Sequence, residues 1–175
     1  MKILLINLFF CIVHLTILAQ NEELKWQENT PLSWDHFQGI PEEGTNEKSA
    51  TVWRLSCPYN INNHEMTVTV NAYFKINKSW VIEKTDALLH HEQGHFDLVE
   101  IYARELMKKV SKYKFQNKST KLISKEVNAL LRDATRECQT ELKLYHKETF
   151  ENPENQAEWD KKIEKRLKVL EKYKS

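Results

Sequence analysis

Between Glu65 and Ile76 apolar and polar residues alternate along the chain. Met66, Val68, Val70, Ala72 and Phe74 are separated by Thr67, Thr69, Asn71, Tyr73 and Lys75. A period of two belongs to a strand with one face on a core and a polar outer face. Thr51 to Ile61 is the second strand candidate, and Asn62-Asn63-His64 suits a hairpin connection, which makes His64 a turn residue. From Thr85 onward the period becomes helical. Thr85 or Asp86 can cap a long helix that runs to about Tyr113. Ser119 or Thr120 can cap a second, to about Lys147, with Ile123, Val127, Leu130, Leu131, Ala134, Cys138, Leu142 and Tyr145 as its apolar stripe. A third is signalled by Asn152 as cap and Pro153 at the first position, with Trp159, Ile163, Leu167 and Leu170 inward. These elements predict an α+β fold: a small antiparallel sheet packed on one side of a helical layer.

The N-terminal part behaves differently. Ile3 to Leu18 is almost wholly apolar and follows Lys2, so residues 1–19 read as a secretory signal and residues 20–175 as a single exported domain, periplasmic or secreted. Asn7 and His14 interrupt the run, which is also short for a membrane span; cleavage, with no stable membrane insertion afterwards, is the expectation. Asn21 to Ala50 is loop-rich, with Trp34 and Phe37 placed to anchor it on the core and His36 as a surface or hydrogen-bonded residue. Pro41 to Lys48 reads as a surface loop.

Charge excludes some partners. The chain carries 26 Lys and Arg against 25 Asp and Glu, and loss of the signal with Lys2 leaves 25 against 25. That balance gives no basis for nucleic acid or an anionic membrane surface. With only three glycines there is no Gly-rich phosphate loop. Cys57 and Cys138 remain after signal removal, either as one disulfide or as two small buried thiols.

The chemistry concentrates in His91-Glu92-Gln93-Gly94-His95, the H-E-x-x-H pattern of zinc peptidases. Residues four apart on a helix share a face, so both imidazoles can reach one Zn²⁺ at about 2.0–2.1 Å. Glu92 falls about 100° round from His91, where a carboxylate can take a proton from metal-bound water without itself binding the metal. The bland alternative is a helix that merely carries two histidines.

A catalytic zinc takes three protein ligands and a water. Glu100 lies about 180° from His91 and Asp97 about 240°, so neither suits. At i,i+4 spacing, Glu100 and Arg104 read instead as a partly buried ion pair. The third ligand should come from another element, and the polar end of the second helix is the best source. Glu141 falls on the apolar stripe and Glu148 lies close to it, and a carboxylate on a buried face needs a partner. Gly94 costs about 1 kcal/mol mid-helix relative to Ala, which in so Gly-poor a chain signals close packing there.

Four segments follow a familiar order: Leu32-Ser33-Trp34-Asp35-His36-Phe37-Gln38-Gly39, His91-Glu92-Gln93-Gly94-His95-Phe96-Asp97, Tyr145-His146-Lys147-Glu148-Thr149 and Gln156-Ala157-Glu158-Trp159. On them the chain resembles the bacterial domain-of-unknown-function family 922, regarded as secreted zinc-dependent proteases. The resemblance implies a zincin-like peptidase with the zinc motif on the long central helix. It also implies a metal-competent residue after Tyr145, where the family tends to carry Asp and this chain carries His146. His146 is therefore first choice as third ligand, ahead of Glu148 and Glu141. The expected function is hydrolysis of peptide or protein substrates with one Zn²⁺ per chain. The alternatives are a non-catalytic exported metal-binding or interaction protein, and a zinc hydrolase acting on a cell-wall amide.

Overall fold

A computed structural model describes residues 22–62 and 65–175. Residues 1–19, expected to be a secretory signal, and His64, expected in a turn, lie outside the described residues.

The alternating segment lies at the centre of the main sheet. Strand β6 (Asn71–Lys75) is flanked antiparallel by β1 (Glu23–Lys25) and β3 (Trp53–Ser56), with Phe74 opposite Leu24 and Trp53, and Ala72 opposite Leu55. Val70, Ala72 and Phe74 are buried while Thr67 and Thr69 are exposed, as a period of two requires; Asn71 departs from it, a buried polar residue where the alternation predicts the outer face. The predicted hairpin forms, but each of its arms is two strands. Beyond the break, β4 (Tyr59–Asn62) pairs with β5 (Glu65–Val68) as a separate ladder. Pro58, which has no N–H to offer, sits at the break, and its carbonyl accepts from Thr69 N at 3.1 Å. A third ladder joins β2 (Ser49–Ala50) to β7 (Trp80–Val81). The expected single small sheet is thus three small antiparallel ladders, and the loop-rich N-terminal stretch contains two short strands.

Three helices complete the fold: the first lies on the sheet, the second touches it at β3, and the third packs on the first. In α1 (Asp86–Val110) the Thr85 side chain caps the start by accepting from Leu88 N; in α2 (Thr120–Glu151) Ser119 does so for Leu122 N. Helix α1 ends before Tyr113. Helix α2 runs past Lys147 because Thr149 extends its buried face after Cys138, Leu142 and Tyr145 and donates to the Tyr145 carbonyl at 2.7 Å. Asn152 does not cap the third helix. Pro153–Asn155 forms a 3-10 turn, tied back by Asn155 Nδ2 donating to Glu148 O at 3.0 Å, and α3 (Gln156–Val169) follows. Among the described residues no helix is long and apolar enough to cross a membrane.

Helix α1 packs against α2, α3, β3 and β6, and Leu98, Val99, Ile101, Ala103 and Leu106 are buried at its middle. Phe96 meets Phe74, which meets Phe37, which meets Trp34, with ring centroids 5.8, 5.0 and 5.0 Å apart, so the N-terminal arm is anchored as its aromatics predict. Cys57 and Cys138 are free thiols, the second fully buried.

Glu100 and Arg104 form the expected pair, 2.8 Å apart, with side chains only 7% and 1% exposed. Arg104 also donates to the Leu167 carbonyl at 2.7 Å, which ties α1 to α3. Arg104 keeps Glu171 as a second partner at 3.0 Å, but removing Arg104 leaves the Glu100 charge buried and alone. Arg104→Met is expected to cost about 3–5 kcal/mol in chemical denaturation, and Glu100→Met/Arg104→Met less than that single change. A loss below about 1 kcal/mol for Arg104→Met would show that the pair does not hold α3 in place.

Candidate metal centre

His91 and His95 lie one turn apart on α1 with their Nε2 atoms 3.1 Å from each other. Two ligands of a tetrahedral zinc at about 2.05 Å would sit about 3.3 Å apart, so this spacing suits one shared cation. His146 of α2 joins them. One possible ligand atom from each of the three histidines lies within 4.8 Å of the others, and the His146 ring centroid is 5.7 and 5.8 Å from those of His91 and His95.

The neighbouring Tyr145 explains how α2 comes this close. It is fully buried, its ring stacks on His91 at 4.9 Å and 12°, and its hydroxyl donates to the His91 carbonyl at 2.9 Å. The hydroxyl rests over Gly94, where a Cβ would stand 2.2 Å from the oxygen and 2.8 Å from Cζ. Glycine is therefore required by space, which accounts for the helix propensity lost there.

The outer nitrogen of His91 is held as well. Thr149 Oγ1 lies 3.2 Å and Gln156 Oε1 3.4 Å from Nδ1. Thr149 gives its own hydrogen to Tyr145 O, so its oxygen is free to accept Nδ1–H. That tautomer leaves the Nε2 lone pair directed at His95, the arrangement typical of metal-bound imidazoles. Burial is the main force on both rings. It pushes His91 down to about 4, against a smaller opposite pull from Gln156, and holds His95 well below the usual histidine range, with His91 and His146 adding to the effect. Near neutral pH both are neutral donors, as a metal requires.

Glu92 is 3% exposed. One carboxylate oxygen accepts from Ser49 Oγ at 2.6 Å and the other from Thr51 Oγ1 at 2.5 Å. Burial raises its pKa, and the two hydroxyls pull it back. Glu92, His91 and His146 all line one cleft of about 430 Å³.

Residues 66–152 match a family described as "Bacterial protein of unknown function (DUF922)". The chain belongs to this family. No curated protein and no solved structure matches it. The DUF922 match contains all three histidines, Glu92 and Tyr145, whereas Leu32–Gly39 and Gln156–Trp159 fall outside it.

Within the DUF922 segment the two carboxylates weighed against His146 are engaged elsewhere. Glu141 accepts from Tyr102 at 2.7 Å and from Arg166 at 2.6 and 2.8 Å, and Glu148 accepts from Trp159 Nε1 at 2.9 Å. The partner that a buried-face carboxylate needs is a tyrosine and an arginine, or an indole. Asp97 is a brace for the N-terminal arm: it accepts from Trp26 Nε1 and Gln93 Nε2, both at 2.7 Å, and Gln93 Oε1 accepts from Leu32 N at 2.7 Å.

Ser49, Thr51, Thr149, Gln156 and the Tyr145 hydroxyl were not anticipated as site residues. Isolated hydroxyls and amides carry no pattern, and the one advance signal was the out-of-place glycine. Gly94→Ala should gain up to about 1 kcal/mol of helix propensity but cost about 1–3 kcal/mol in overpacking, plus about 1 kcal/mol for the bond to His91 O. Net destabilisation of about 1–3 kcal/mol is expected, partly relieved in Gly94→Ala/Tyr145→Phe. Thermal denaturation of the parent, Gly94→Ala, Tyr145→Phe and the double variant checks this, and a Gly94→Ala more stable than the parent would contradict the contact.

Proposed function

We propose that the chain is an exported, zincin-like, zinc-dependent peptidase in which His91, His95 and His146 hold one Zn²⁺ and Glu92 is the general base. The observation that carries this reading is the convergence of three imidazoles, two of them kept neutral by burial, with His91, His146 and the buried Glu92 carboxylate lining one cleft. Imidazole is a good zinc ligand, and three such ligands leave one coordination position for water or substrate. When bound, the ion supplies Lewis acidity, polarising the scissile carbonyl and acidifying a water.

The protein residues do the rest. Glu92 takes the proton from the attacking water and returns it to the leaving amine. Ser49 and Thr51 hold its two oxygens in place from β2 and the residue just after it. Thr149 and Gln156 keep His91 in the tautomer that presents Nε2. Lys2 and the apolar run after it support export. The balanced charge supports a peptide or protein substrate over nucleic acid.

Elemental analysis of the purified mature chain should find about one zinc per molecule, lost in His91→Ala and in His146→Ala. Glu92→Gln should keep the metal while peptide cleavage falls by at least about 10²-fold, the contribution expected of a general base. Equal zinc in the parent and the histidine variants would overturn the metal site. Undiminished cleavage by Glu92→Gln would overturn the base.

A further inference from the structure

We infer that the cleft contains an apolar recognition pocket for one large substrate side chain, built by Leu88, Phe150 and Pro153 beside the histidine cluster. The inference rests on the peptidase reading and adds the substrate class to it. The three residues line the same cleft as His91, Glu92 and His146. Its volume of about 430 Å³ falls within the range of sites that bind small ligands, about 300–1,000 Å³.

Helical spacing couples this wall to the metal site. Phe150 follows His146 by four residues on α2, and Leu88 precedes His91 by three on α1, so each apolar side chain shares a face with a histidine. The Phe150 ring stacks on the His146 ring with centroids 5.5 Å apart and 15° between planes. Phe150 is nonetheless 62% exposed, a large aromatic surface left to water next to a catalytic cleft. Pro153 offers no N–H to be solvated on that side. An apolar side chain laid against this wall would take both surfaces out of water.

The charged residues of the cleft argue against an acidic occupant. Lys48, its cation, is paired with Glu83 at 3.2 Å. Glu47 faces His146 Nε2 at 3.5 Å. A substrate carboxylate would meet three acids, Glu47, Glu83 and Glu92, and a lysine already engaged. Peptides with a large apolar side chain next to the scissile bond are therefore the preferred class, and acidic ones are disfavoured.

Hydroxamates test the pocket without relying on turnover, because they bind zinc whatever side chain they carry. The zinc-loaded mature chain would be titrated calorimetrically with acetohydroxamate and with the hydroxamates of leucine, phenylalanine, serine, aspartate and lysine. Each affinity is taken relative to acetohydroxamate on the same protein, which removes any change at the metal itself. The leucine and phenylalanine compounds should bind about tenfold or more tighter than the serine compound, with aspartate weakest. In Phe150→Ala, and separately in Leu88→Ser, the leucine-to-serine ratio should fall to within about threefold. A flat series, a preference for lysine, or a ratio unchanged in both variants would overturn the pocket while leaving the metal site standing. A parent chain that takes up no zinc would overturn the peptidase reading, and the pocket with it.

Discussion

The candidate site depends on the contact between Tyr145 and the backbone of α1 at Gly94. A tyrosine hydroxyl can lie on a helix backbone only where no side chain is in the way, and Gly94 provides the gap between His91 and His95. Through it Tyr145 reaches the His91 carbonyl and stacks on the His91 ring. The next residue on α2 then has to face the two α1 histidines, and that residue is His146. The same contact brings Thr149, one turn further along α2, within reach of His91 Nδ1. One glycine therefore sets the distance between the helices, the position of the third imidazole and the support of the first.

Around that contact, buried charges are kept away from the histidines. Glu100 is neutralised by Arg104, Glu141 by Arg166, and Asp97 is held by an indole and an amide. Among the described residues Glu92 is the buried acid beside the cluster, clasped by hydroxyls rather than by a cation, while the solvent-exposed Glu47 faces His146 at 3.5 Å. A carboxylate held by neutral donors keeps more of its basicity than one paired with an arginine. That difference separates the acid suited to proton transfer from those that brace the fold.

Much of this was legible in the sequence wherever a feature repeats along the chain. The alternation around Phe74 marks the central strand, the cap at Thr85 starts α1 in the right place, and the i,i+4 spacing of Glu100 and Arg104 identifies their pair. Features without a repeat were not legible. Strands β1 and β2 are three and two residues long, too short to display a period, and they exist because β6 and β7 offer them edges. Helix α2 continues past Lys147 because Thr149 is buried on its own carbonyl bond, a polar residue in an apolar position. Ser49 and Thr51 meet Glu92 across more than forty residues of chain, a meeting that only tertiary packing creates. The shape of the motif gave away His91 and His95; the grouping of His146 with them depends on how α2 docks.

Zinc K-edge X-ray absorption of the loaded mature chain tests the central claim most directly, because it counts imidazoles around the metal. Three histidines and one light-atom ligand at about 2.0–2.1 Å are expected, with one imidazole lost from the outer-shell scattering in His146→Asp. A parent spectrum with only two imidazoles, or one that His146→Asp leaves unchanged, would contradict the assignment of His146 and the role given to the Tyr145–Gly94 contact.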